Sequence, residues 1–349
     1  MKDDEFWDRY GPAAGGSPEG VFIVNEGNFM YNNASVSFYD PGTAELNNDV
    51  FFLVNRLPLG DVAQTMVIRD SLAYVTVNNS GKIQVMCAET LVLKGKITGL
   101  TSPRYLHFID DDKAYVTDLY AGHISVVDPV ALKVTGTIGT MGAGESSGRF
   151  SSEQMVQSGP YVYVTCWSFD DRFLVIDSRT DQVVDSLRLL KQPNSLVLDH
   201  LGKIWVLTDG GVKGSPFGHE RPGLIRIDAA SREIEETIRF SPEDSPSELQ
   251  INGSADTLYF INRDVFRMAA RPGAVPELFI ESPYSEGYPG GFYGLGIDPQ
   301  SSEIYVADAV DFVQPGWVYR FRPGGEPSDT IRVGIAPGSF CFKPSAEIP

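Results

Sequence analysis

Apolar residues recur along this chain in alternating runs of roughly four to eight, each broken by Gly, Pro, Asn or Asp, which predicts strands rather than helices. The runs group into a repeating unit. Each copy opens with a short apolar strand and continues with an aromatic-centred one such as Ala73-Tyr74-Val75-Thr76-Val77. A turn, a third strand commonly ending in Asp, and a final alternating strand complete it. The second-strand aromatics are Phe22, Tyr74, Tyr115, Tyr163, Trp205, Tyr259 and Tyr305, at intervals of 52, 41, 48, 42, 54 and 46 residues. Four strands repeating every ~40–45 residues is the spacing of propeller blades. The pattern therefore predicts an all-β fold, a seven-bladed β-propeller with four antiparallel strands per blade.

Third strands are expected at 34–41, 82–90, 123–129, 173–180, 223–231, 265–273 and 317–325. Their shared acids Asp40, Asp128, Asp177 and Asp228 suit side-chain-to-backbone turns and are read as structural. First strands are expected at 62–68, 102–109, 152–158, 192–198, 245–251, 291–297 and 337–343. The N-terminal copy has no opening strand of its own. Gly338 to Lys343 should therefore pair beside Gly20 to Asn25 and close the ring, leaving no unpaired edge. The resulting division is an acidic, Gly/Pro-rich tail over 1–20, one propeller over 21–343, and a short C-terminal tail over 344–349.

Composition narrows the functional classes. With 28 basic and 46 acidic residues the net charge is −18, which repels phosphate backbones and anionic bilayers and excludes nucleic-acid binding. Cys87, Cys166 and Cys341 are far apart, lie in apolar runs and show no CxxC spacing, so buried free thiols are expected. No run approaches the roughly 18 apolar residues of a spanning helix. The opening Met1 to Tyr10 lacks the apolar segment of a signal peptide, which fits a cytosolic protein or an exported one whose leader is missing.

Candidate chemistry collects at one mouth of the channel. Aligned on Met66, Leu106, Met155, Leu196, Leu249, Leu295 and Phe340, the first strands hold Gln64, Arg104, Glu153, Asn194, Ser247, Tyr293 and Gly338 two positions earlier. First strands line the channel, so this mostly polar ring should suit hydrogen bonding to a neutral polar ligand. The loops on the same face carry Phe29, Tyr31, Tyr120, Trp167, Phe169, Phe217, His219, Tyr284, Tyr288 and Phe312, with Trp317 at a loop end. A rim of aromatics favours a binding face, although each ring could instead pack under its own loop. A metal-dependent hydrolase is an alternative, using Glu153, Asn194 and Glu248 as oxygen ligands, but the charge of Arg104 opposes a cation there. No Ser-His-Asp arrangement, phosphate loop or dinucleotide fingerprint occurs.

The cores Tyr74-Val75-Thr76, Tyr115-Val116-Thr117 and Tyr163-Val164-Thr165 resemble the YVTN-repeat, surface-layer-type propellers. The segment Val21 to Phe29, the polar mouth and the acidic start Lys2-Asp3-Asp4-Glu5 look like the cobalamin-capturing surface lipoprotein propellers of gut bacteria. That resemblance implies a non-enzymatic protein with no cofactor of its own. It would capture vitamin B12 or a related corrinoid for an outer-membrane transporter, at the cell surface or in the periplasm. Met1 stands where that group carries its lipidated cysteine, so membrane attachment would rest on an anchor missing from this chain. The alternative is a protein-binding or surface-structural propeller module.

Overall fold

The aromatic at the centre of each second strand explains how the blades assemble. All seven, Phe22, Tyr74, Tyr115, Tyr163, Trp205, Tyr259 and Tyr305, are buried in the computed structural model. Each packs into an apolar cluster shared with the following blade. Phe22 of blade 1 meets Met66 and Val75 of blade 2, and Tyr305 of blade 7 meets Val21 and Ile23 of blade 1, so the last interface resembles the first. Burying one such side chain contributes about 1.5–3 kcal/mol. The core is thus a ring of interblade layers, not one central mass. Polar tips are satisfied as well: Trp205 donates to Asp199 at 2.9 Å, and the Tyr163 hydroxyl donates to the Ala229 carbonyl.

The described residues are 19–140, 151–284 and 291–343. The expected tails over 1–18 and 344–349, the loop parts at 141–150 and 285–290, and Tyr288 lie outside them. Within them the chain forms seven four-stranded antiparallel sheets. The first strands are Ala63–Arg69, Pro103–Phe108, Met155–Ser158, Pro193–Leu198, Ser247–Ile251 and Phe292–Ile297 in blades 2 to 7. Blade 1 takes its first strand from the far end of the chain: Pro337–Phe342 pairs antiparallel with Val21–Asn25, closing the ring as the repeat pattern requires. Lys343 adds a backbone bond to Gly20 at 2.9 Å.

The third-strand acids hold turns. Asp128 accepts from the Val130 and Ala131 amides, and Asp228 from Ala230 and Ser231, each through one carboxylate oxygen, while the other oxygen of Asp228 pairs with Lys203. One element has no counterpart in the repeat, a short helix over Val50–Asn55 that buries Val50 and Phe51 beside blade 1. The outer strand of that blade, Glu45–Asn47, is only three residues long, and the helix covers the apolar surface it leaves. Asn55 fixes the helix to blade 2 by donating to the Leu91 carbonyl and accepting from the Leu93 amide, at 2.9 and 2.8 Å. No helix among the described residues is long and apolar enough to cross a membrane. Cys166 and Cys341 are buried and Cys87 half-buried, all unpaired thiols; burial pushes the Cys341 thiol up to about 12.

Candidate functional site

The polar ring at the channel mouth arises from a repeated irregularity in the ladders. In six first strands the pairing slips by one residue, and in five of them the ring residue stands in the slip. Ala63 faces Val77 and Thr65 faces Thr76, leaving Gln64 as the extra residue; Asn194, Tyr293 and Gly338 occupy the same place in their strands. A bulge turns the unpaired residue away from the regular alternation, here toward the channel. Gln64, Arg104, Glu153, Asn194, Ser247 and Tyr293 accordingly all line one cavity of about 920 Å³ that runs along the propeller axis.

Arg104 dominates this mouth. Its guanidinium bonds Glu153 through Nε at 2.9 and 3.0 Å and through Nη2 at 2.6 Å, and donates from Nη1 to Gln64. The two charged side chains are only 14% and 4% exposed, so this is a largely desolvated, bidentate pair. Burial works against the Arg104 charge, yet the Glu153 carboxylate and its hydrogen bonds hold the guanidinium above its ordinary pKa. Burial also raises the Glu153 carboxyl, with Arg104 pulling the other way. The Arg104 guanidinium carbon lies 5.7 Å from the Trp167 ring centre. Trp167 is oriented in turn by donating its indole N–H to Asp209 at 2.9 Å.

The seventh ring position is a glycine, and another segment fills it. A Cβ on Gly338 would stand 2.6 Å from Glu26 Oε1, so the missing side chain admits the Glu26 carboxylate from the blade 1 loop. Tyr293 donates its hydroxyl to that carboxylate at 2.9 Å. In the first strand of blade 6 the bulge residue is Glu248, at a φ of 57°, immediately after the expected Ser247, and both line the cavity. Burial, then repulsion from Glu26 and Glu153, pushes the Glu248 carboxyl up to about 8, with Arg104 only partly offsetting this. Burial likewise raises the carboxyls of Glu26 and Asp209. Glu26, Asp209, Tyr105 and Gln154 were not singled out in the sequence. Glu26 and Asp209 follow second strands and lacked any ring register, while Tyr105 and Gln154 sit beside bulge positions whose direction the alternation hides.

The aromatic loops extend from the same end of the molecule, because the C-termini of second strands pair with the N-termini of first strands, as Asp118 does with Pro103. Phe29, Tyr31 and Tyr120 are 64%, 75% and 68% exposed, with Phe169, Phe217 and Phe312 also exposed. They form small groups. Phe169 packs at a tilt on Phe217 with ring centres 5.0 Å apart, and Phe312 meets the channel residue Tyr293 edge-on at 4.9 Å. Asn28 donates to the Phe312 carbonyl, tying the blade 1 loop to the blade 7 loop.

Other candidates fall elsewhere. Trp317 does not line the cavity; it sits on the third strand of blade 7 with Arg332 4.5 Å above its ring. Tyr284 packs locally, bonded to Asp308 and, at 3.2 Å, to Tyr319. His219 is exposed on the blade 5 loop outside the cavity lining. His107 lines the channel farther along its strand, with Gln157 3.1 Å from Nε2; burial lowers its pKa. Asn194 is committed, donating to the Pro246 carbonyl and accepting from Ser195. Among the described residues no group of three or more His, Cys, Asp or Glu is arranged to hold a metal ion.

The profile described as "Domain of unknown function (DUF5074)" matches residues 19–334. The chain belongs to the DUF5074 family. No curated protein matches the sequence. Solved propellers similar to this DUF5074 chain include a quinonprotein alcohol dehydrogenase-like protein from Bacteroides thetaiotaomicron, at 15% identity and a TM-score of 0.68, covering 93% of this chain and 78% of that one. Another is the periplasmic gluconolactonase of Pseudomonas aeruginosa, at 12% identity and 0.65, covering 94% and 99%. A third is a 6-phosphogluconolactonase assignment from Bacteroides uniformis, at 15% and 0.65, covering 93% and 100%. At these identities the likeness establishes the DUF5074 fold and leaves its chemistry to the site itself.

Proposed function

We propose that this propeller is a binding protein that captures a broad, amide-fringed ligand, cobalamin or a related corrinoid, across the mouth ringed by Gln64, Arg104, Glu153 and Tyr293. The observation that carries this reading is the pairing of a polar, irregularly bulged floor with an exposed aromatic rim on the same face. Large aromatics left in water are costly unless something covers them, and a flat macrocycle offers a matching apolar surface. Amides around its edge would meet Gln64, Tyr293 and the raised carboxyls of the floor. A role in handing the ligand to an outer-membrane transporter, from a lipid-anchored position at the cell surface, is the biological setting we propose for this capture.

The Arg104–Glu153 pair supports binding over hydrolysis. Glu153, the carboxylate best placed for a channel metal, is held by three contacts to a guanidinium. The test is a fluorescence titration with cyanocobalamin at micromolar concentration. Trp167 stands at the mouth, whereas Trp205 is buried between blades and Trp317 lies away from the cavity. Saturable quenching that Trp167→Phe largely removes supports capture. Absence of saturable binding rejects the corrinoid, and a rim that instead retains a polypeptide would favour the protein-binding module.

A further inference from the structure

The carboxylates of the channel do not share their partners equally. Glu153 is bonded by Arg104, Glu26 by Tyr293, and Asp209 by Trp167 and the Gly211 amide. Glu248 takes no hydrogen bond from any described residue, although it faces the same cavity. Among the described residues the lining therefore contains four carboxyl groups, those of Glu26, Glu153, Asp209 and Glu248, against the single guanidinium of Arg104. That guanidinium is already engaged by Glu153 and Gln64. Glu248 is a half-buried carboxyl without a partner among the described residues, and the open cavity leaves ample room for a ligand group beside it.

We infer that the channel mouth receives a cationic nitrogen group of its ligand, a guanidinium or an ammonium, with Glu248 as the counter-ion. The inference rests on the reading that this mouth is the ligand face but not on the corrinoid, whose edge carries neutral amides; it concerns a ligand bearing an amine or guanidine. A planar guanidinium can donate to both carboxylate oxygens of Glu248 in a bidentate pair. The Trp167 ring adds an aromatic wall of the kind that favours a cation, as its approach to Arg104 illustrates. Glu26 and Glu153 face Glu248 along with Arg104, so carboxyl groups outnumber the guanidinium around it. The remaining groups that face this position, Tyr105 and Tyr293, are phenols whose pKa values burial pushes upward, and both stay neutral.

A proton competes with such a cation for Glu248, so binding should strengthen as pH rises toward about 8 and level off above it. The test uses calorimetry with methylguanidinium, a permanent cation, and N-methylurea, a neutral molecule of similar shape, at tens of millimolar. Wild type, Glu248→Gln and the charge-retaining Glu248→Asp are compared at about pH 6 and about pH 9, with near-ultraviolet circular dichroism confirming the fold. The expected result is at least a tenfold preference for methylguanidinium at the higher pH, reduced on the order of tenfold at the lower one. Glu248→Gln should lose both effects and Glu248→Asp should keep part of each. Equal binding of the two probes, no binding of methylguanidinium, or a preference that survives Glu248→Gln overturns the inference. If methylguanidinium binds as expected but cyanocobalamin does not, the corrinoid reading fails alone; if cyanocobalamin binds without any cation preference, the present inference fails alone.

Discussion

Replacing Arg104 by Met removes the only guanidinium that the described residues place in the channel lining, beside their four carboxyl groups, and keeps much of the side chain's apolar bulk. Glu153 then loses two hydrogen bonds to Nε and one to Nη2, and Gln64 loses its donor. Breaking one partner of a buried pair typically costs about 3–5 kcal/mol, because the remaining charge is left uncompensated. Solvent in the open channel lowers this, so about 3 kcal/mol is expected. The cost depends on ionisation. As pH falls, Glu153 in the variant takes up a proton and its penalty disappears, so the difference from wild type should shrink with falling pH. Converting Glu153 to Gln in the same chain should recover most of the loss, since no charge is then stranded. The assay is urea unfolding of wild type, Arg104→Met, Glu153→Gln and the double variant across pH. A loss below about 1 kcal/mol, or one that is unchanged with pH, would refute the claim that this pair organises the mouth.

Folding keeps Glu248 protonated up to about pH 8, whereas the unfolded chain releases that proton near the ordinary 4.5. The native state therefore binds more protons across this window, and stability falls as pH rises through it. Glu248→Gln should stabilise the protein by about 1–3 kcal/mol near pH 8 and by little near pH 5, as read by denaturant unfolding; a constant effect contradicts this. Deleting the residues after Ile335 removes the strand Pro337–Phe342, exposes the pairing edge of Val21–Asn25 and strips Phe340 and Phe342 from Tyr305. The expected outcome is loss of about 5 kcal/mol or more and a broadened thermal transition, while an unchanged melting temperature argues against ring closure as a source of stability. Gly338→Ala should change stability by less than about 1 kcal/mol, since the clash is with the movable end of Glu26, yet a crystal structure should show that carboxylate displaced from Tyr293. A Glu26–Tyr293 bond left intact would contradict the space argument.

The blades were legible because their second strands carry a local signal that the interblade packing requires. An aromatic at Tyr74, Tyr115 or Trp205 is large enough to reach the next sheet, and its recurrence fixes both number and order. Ring closure was legible for a related reason, because the chain offered one opening strand at its end and lacked one at its start. Most of the polar ring was also readable, since the bulges recur at the same offset from Met66, Leu196 and Leu295. The fifth position slipped by one, from Ser247 to Glu248, because no alternation shows which member of a bulge turns inward. Glu26 was hidden more deeply. Its place depends on a glycine more than three hundred residues away, and only the closed ring brings the two together. The helix over Val50–Asn55 escaped notice because its apolar run, Val50-Phe51-Phe52-Leu53-Val54, is indistinguishable from a buried strand by periodicity alone.

The central claim is that an exposed aromatic rim and a bulge-built polar floor form one ligand face. Calorimetric titration of cyanocobalamin into wild type and into a Phe29→Ser/Tyr31→Ser/Tyr120→Ser variant tests it most directly. The account predicts saturable binding to wild type, weakened at least tenfold in a variant whose melting temperature is unchanged. Equal affinity for the two proteins, or no heat of binding to wild type, would contradict it.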